Sequence, residues 1–164
     1  MIYSFYIYTR SGSCLYQEKW GGKAVTYSDP EEEKRLLFGL LFSLKEFVAK
    51  MAPSQQSVGG TADPFGPTEA SAGSANGAPE GLQRYQTNSY TCHQYETPSG
   101  LRFILMTDNQ AGDMTTTLKY IYSQIYVETV VNNPLSDTKS GKPITSQLFR
   151  AQLIQYLENQ PCFR

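Results

Sequence analysis

The sequence predicts an α+β domain: a five-stranded antiparallel sheet in the order β-β-α-β-β-β-α-α, with one helix on one face and two on the other. Three observations carry this. Strand-like runs fall in two clusters, separated by a long stretch of helical period, and two further helical runs close the chain. Three apolar helix faces and a two-sided sheet are all covered only if the layers stack helix, sheet, helices. With 164 residues the chain fits one domain, 1–164, large enough to bury a sizeable core.

Ile2 to Thr9, IYSFYIYT, is dense in β-branched and aromatic residues and ends at Arg10-Ser-Gly-Ser13. A strand and tight turn follow from that chemistry. Cys14 to Trp20 alternates loosely and returns antiparallel, and Gly21 to Ser28 is a connecting loop.

Pro30 to Met51, PEEEKRLLFGLLFSLKEFVAKM, is the organising element. Asp29 stands where a cap is needed, and Pro30 suits the first helical position, where its missing N–H costs nothing. Glu31, Glu32 and Glu33 favour the positive end of the helix and are expected as a solvated start. Pro53 ends it. On a helical projection Leu36, Leu37, Leu40, Leu41, Leu44, Phe47, Val48 and Met51 form one broad stripe, expected against the core. Phe38 and Phe42 stand one turn apart on another sector, flanked by Arg35, Gly39, Glu46 and Ala49. They meet either more of the same protein or a partner.

Residues 53–80 change character: Gly, Pro, Ser and Ala make up 18 of 28 positions. Such a segment buries too little apolar surface to offset its ordering entropy, and reads as a low-complexity insertion in a surface loop. Long flexible loops cost little, because closure entropy grows only logarithmically with length. Leu82 to Thr87, Tyr90 to Thr97 and Leu101 to Thr107 are the next strands, the last two joined at Pro98-Ser-Gly100. From Asp113 the spacing of Met114, Leu118, Ile121, Tyr122, Ile125 and Val130 is helical until Asn133-Pro134. Ser146 opens a last helix in which Phe149, Leu153, Tyr156 and Leu157 share a face, and Pro161 stops it.

Composition narrows the function. Net charge is −1, with 14 basic against 15 acidic residues and no basic cluster to follow a phosphate backbone, which argues against nucleic acid as a partner. Cys14, Cys92 and Cys162 are odd in number, widely spaced and without a CxxC pair, so reduced thiols in the cytosol are expected. No apolar run approaches the roughly 20 residues that span a bilayer, so membrane association is expected to be indirect. The single histidine, His93, follows Cys92 on a strand, where neighbours point to opposite faces; a nucleophilic dyad is not expected. No ligand spacing suits a metal, and no glycine-rich turn is followed by the lysine and helix of a phosphate loop. No catalytic residue and no cofactor are assigned. Binding or assembly is what remains.

Several segments, in order, resemble one family. They are the opening hairpin ending in Trp20, EEEKRLLFGLLFSLKEFVAKM, QYETPSGLRF at Gln94 to Phe103, YSQIYVETVVNNPL at Tyr122 to Leu135, and SQLFRAQL at Ser146 to Leu153. Together they are similar to the subunit 1 family of TRAPP (transport protein particle) complexes, across nearly all of the chain outside residues 53–80. That insertion is a short loop in animal members, and its length here points to a fungal-type member. The resemblance implies a longin-like fold and a non-catalytic core subunit of a vesicle-tethering assembly acting between endoplasmic reticulum and Golgi. The assembly is also the guanine nucleotide exchange factor for a Rab-type GTPase, so the implied partners are other core subunits and, through the assembled complex, the GTPase. The implied location is cytoplasmic, peripheral at the cis-Golgi and endoplasmic reticulum. Longin-like domains commonly pair through the first helix and an adjacent sheet edge, which turns Arg35, Phe38, Gly39, Phe42 and Glu46 into the expected partner interface. The competing reading is another longin-domain trafficking protein, such as a coat adaptor small subunit.

Overall fold

The computed structural model describes residues 1–21, 29–51, 82–134 and 141–163. The expected loop at 22–28 and the expected insertion at 53–80 lie outside them. Strands β1 (Ile2–Tyr8), β2 (Cys14–Lys19), β3 (Arg84–Gln86), β4 (Thr91–Glu96) and β5 (Arg102–Thr107) form one sheet in the order β2-β1-β5-β4-β3. Every neighbouring pair is antiparallel. The longin-like α+β architecture read from the sequence is the one observed.

The turns follow their chemistry. Gly12 closes β1 to β2 at φ 93° and Gly100 closes β4 to β5 at φ 85°, a left-handed region that costs glycine nothing. In the second turn Thr97 Oγ1 accepts from the Leu101 N–H at 3.0 Å. The β1–β5 pairing joins the two strand clusters, and it places β5 at the centre of the sheet with β1 beside it.

Alternation along β1 divides the core in two. Phe5 and Ile7 join Phe103, Leu105 and the residues of the C-terminal helices on one face. Tyr6 and Tyr8 join Leu37, Leu41, Cys92 and Ile104 beneath helix α1 (Pro30–Met51) on the other. One helix therefore covers one face, and the remaining helices cover the opposite one.

Helix α1 has the expected bounds, and the Asp29 carboxylate accepts from the Glu31 N–H at 2.9 Å. Its acidic first turn is not wholly a solvated start. Glu31 and Glu32 are exposed, but Glu33 is buried, accepting from the Tyr6 hydroxyl at 2.8 Å and from Lys19 Nζ at 2.6 Å. Burial, and then the carboxylate beside it, hold the Tyr6 hydroxyl protonated, its pKa pushed up to about 12. The carboxylate thus fastens the start of α1 to β1 and β2.

The long helical run after Asp113 is present but changes pitch. Helix α2 (Thr115–Tyr120) continues without a break as a π-helical segment, Ile121–Val131, in which the Asn132 N–H reaches back to the Val127 carbonyl at 2.9 Å. Bonds spanning five residues widen the turn, so same-face positions recur every four to five residues. Ile121, Ile125, Tyr126, Thr129 and Val130 are buried accordingly. Tyr126 and Thr129 enter the core because of this pitch, while the expected Tyr122 stays half-buried. Thr129 satisfies its buried hydroxyl by donating to the Ile125 carbonyl at 2.7 Å.

Helix α3 (Gln147–Glu158) starts at Ser146, whose side chain accepts from the Phe149 N–H. Phe149, Leu153 and Leu157 are fully buried; Tyr156 is half-buried and stacks on Tyr120 with ring centroids 4.5 Å apart. Arg150 grips Glu18 of β2 through two N–H donors at 3.0 and 2.9 Å.

Candidate docking surface

Helix α1 touches the sheet along a narrow line. Glu33, Leu37 and Leu41 are buried, and Leu44, Lys45 and Val48 are half-buried. The expectation that Leu36, Leu40, Phe47 and Met51 pack on the core is overturned: they are 48%, 43%, 60% and 67% exposed. The helix is rolled about its axis relative to a projection centred on the whole apolar stripe. Three contacts hold that roll: Glu33 to Tyr6 and Lys19 at one end, Lys45 Nζ to Glu96 at 2.6 Å further along, and Phe38 between them. An ion pair or an aromatic contact beyond the stripe outweighs symmetry of the stripe itself.

The other flank carries the residues singled out for a partner. Arg35, Gly39 and Glu46 are exposed, and Phe42 is 48% exposed. Phe38 is half-buried within its own domain. Its ring lies 5.7 Å from Tyr8 and 6.4 Å from Phe42, the latter nearly parallel at 27°. A Cβ on Gly12 would come within 2.8 Å of the Phe38 ring, so the absence of a side chain there makes room for it. On the remaining side the Arg102 guanidinium sits 5.2 Å from the ring centroid. Phe38 thus meets more of its own protein, and Phe42 is the exposed aromatic beside it. Sequence reasoning missed Arg102 and Gly12, which become neighbours of Phe38 only once β1, β2 and β5 are paired.

The sheet edges differ. At β2 the Ile144 N–H donates to the Leu15 carbonyl at 2.7 Å, which covers part of that edge. Among the described residues β3 pairs only with β4, so its outer side is open. An open edge is a template for another strand.

His93 and Cys92 part as neighbours on a strand do. The Cys92 thiol enters the cluster under α1, its pKa pushed up to about 12 by burial, while His93 Nε2 lies 3.1 Å from Thr107 Oγ1 on β5. Among the described residues no group of three or more His, Cys, Asp or Glu side chains could hold a metal ion. No helix among them is long and apolar enough to cross a membrane.

These features define a longin-like α+β domain whose β3 edge is unpaired among the described residues and whose first helix turns apolar side chains outward on both flanks. The chain belongs to the Sybindin-like family, which it matches over residues 2–160. It is 33% identical over 162 residues to human trafficking protein particle complex subunit 1, covering 99% of this chain and 95% of that protein. It is 36% identical over 163 residues to the Dictyostelium discoideum protein of the same name, covering 99% of each. The Schizosaccharomyces pombe transport protein particle subunit bet5 is 29% identical over 179 residues, again with 99% of each chain covered.

Proposed function

We propose that this chain is a non-catalytic core subunit of a TRAPP-type vesicle-tethering complex acting in endoplasmic reticulum to Golgi transport. In this reading it contributes structure, and part of a GTPase-facing surface, to an assembled guanine nucleotide exchange factor for a Rab GTPase. It is cytoplasmic and peripheral at the cis-Golgi and endoplasmic reticulum, reaching membranes through other subunits. The observation that carries the reading is end-to-end similarity to proteins named as subunits of this particle, in animals, a slime mould and fungi. The open β3 edge and the two outward flanks of α1 support a chain that acts by being bound. Arg35, Phe38, Gly39, Phe42 and Glu46 form the proposed partner interface, with Phe42 as its aromatic anchor.

The test is a pull-down of the tagged full-length chain from its own cells, with mass spectrometry of stoichiometric partners and a nucleotide-release assay on the eluate. Recovery of other small particle subunits, with exchange activity that the chain alone lacks, is the expected result. Recovery of coat chains would favour the adaptor reading, and recovery of no stoichiometric partner would overturn assembly. Phe42→Asp should leave thermal unfolding within about 0.5 kcal/mol of the parent, because the ring is half in solvent. The same change should reduce partner recovery by at least about tenfold if the ring is an interface anchor. Undiminished recovery would remove Phe42 from the interface.

A further inference from the structure

Arg102 is the first residue of β5 and only 4% exposed, yet its Nε and Nη1 atoms are buried without a hydrogen-bond partner. A buried cation is costly unless it is paired and hydrogen-bonded. The nearest carboxylate is Glu96, whose Oε1 is 3.9 Å from Nε, beyond a hydrogen bond. The other oxygen of Glu96 is taken by Lys45 at 2.6 Å. One carboxylate is thus shared by two cations. Arg10 adds a third, its stem lying against Gly100 in the adjoining turn, where a Cβ would come 3.1 Å from the Arg10 Cβ. Arg35 adds a fourth on the flank of α1, where the acidic residues are Glu46 and Glu31, the latter paired with Lys34. The surroundings of Phe38 and Phe42 are therefore aromatic and carry an excess of positive charge.

We propose that this flank is a socket for a partner protein segment that presents a carboxylate beside an apolar side chain. The apolar group lies on Phe42 and the outer edge of Phe38, and the carboxylate supplies an N–H of the Arg102 guanidinium with an acceptor that the described residues do not provide. A hydrogen bond from a guanidinium N–H to a carboxylate is charge-assisted and fixes direction as well as charge. Phe38, packed on Tyr8 and on the glycine of the turn beneath, is the fixed wall of the socket beside the guanidinium. The inference rests on the reading of this flank as a partner contact and adds the chemistry of what it accepts.

The experiment places the photo-crosslinker p-benzoylphenylalanine at position 42 of the full-length tagged chain in cells, followed by mass spectrometry of the joined peptides. The expected product is a partner-subunit peptide with Asp or Glu within about four residues of the linked apolar position. In the same cells Arg102→Met should cut that product at least about tenfold, because an unbranched apolar chain fills the space without donors. Thermal unfolding of the variant should match or exceed the parent, since replacing an incompletely paired buried cation is neutral or stabilising. A product on a segment without a carboxylate, a product joining two copies of this chain, or one undiminished by Arg102→Met would overturn the socket. So would the absence of any product when partner subunits are recovered in the pull-down. Absence of both product and partners would overturn the assembly reading together with the socket.

Discussion

Replacing Phe149 by alanine should cost about 3–5 kcal/mol of folding stability, the range for removing a fully enclosed aromatic side chain. Phe149 has no exposed surface and packs α3 against β2. Its ring meets Tyr16 of β2 edge-on, with centroids 4.9 Å apart at 88°, and meets Tyr126 of the π-helical segment at 6.3 Å and 89°. Edge-to-face pairs of this kind add to the burial of area itself. Alanine at this position would open a cavity bordered by three elements that cannot close together, because each is also held by its own neighbours. Leu148, the preceding residue, is 56% exposed, and Leu148→Ala should fall within about 0.5 kcal/mol of the parent. Urea unfolding of the two variants, with slopes matching the parent, measures both values. A loss under about 1 kcal/mol for Phe149→Ala would mean that α3 does not dock through this side chain.

The parts of this fold written in local chemistry were legible in the sequence. Asp29 and Pro30 mark the start of α1, by capping and by the missing N–H of proline. Gly12 and Gly100 mark turns that need a left-handed residue. Ser146 announces α3, and the density of β-branched and aromatic residues in β1 announces a strand. The parts that failed depend on residues far apart in the chain. Glu33 looks solvated until Tyr6, 27 residues away, and Lys19, 14 away, are brought to it. Those contacts, with Lys45 to Glu96, set the roll of α1 and so expose Leu36, Leu40, Phe47 and Met51. The π pitch after Ile121 was hidden for a different reason. Its buried residues, spaced by four and five, also satisfy much of an ordinary helical pattern, so only the backbone bonds separate the two.

The proposed interface divides the same way. A helical projection suffices to separate Phe38 and Phe42 from the sheet-facing line of α1. It cannot show that one ring is anchored and the other free, because the anchors come from the β1–β2 turn and the start of β5. Strand register brings Gly12 and Arg102 to Phe38, and no spacing within α1 encodes them.

Acidification from pH 7 to pH 5 should weaken the fold, and His93 should account for most of the change above pH 5. The ring is 1% exposed. Thr107 spends its hydroxyl proton on the Asp108 carbonyl, so His93 Nε2 must donate to Thr107 Oγ1, and the proton-free Nδ1 is left buried without a partner. Burial first, and then the charge of Arg84, lower its pKa from 6.5 to about 4, against a smaller opposing pull from Asp113. The unfolded chain therefore takes up a proton at pH values where the folded chain does not. Stability is fully present above about pH 6.5 and falls as pH drops from there to about 4, by up to tenfold in the folded-to-unfolded ratio per unit. His93 is the only histidine in the sequence, and ordinary carboxylates titrate lower, so the interval from 6.5 to 5 isolates it. Urea midpoints at pH 7, 6 and 5 should decline for the parent and stay nearly level for His93→Gln, whose amide retains a donor for Thr107. Equal slopes would mean that the folded chain protonates the ring as easily as the unfolded one. The location sharpens the expectation, because β4 carries His93 between β5 and β3, the last strand on that side among the described residues. A proton forced onto that ring would loosen the side of the sheet that a neighbouring strand would have to join.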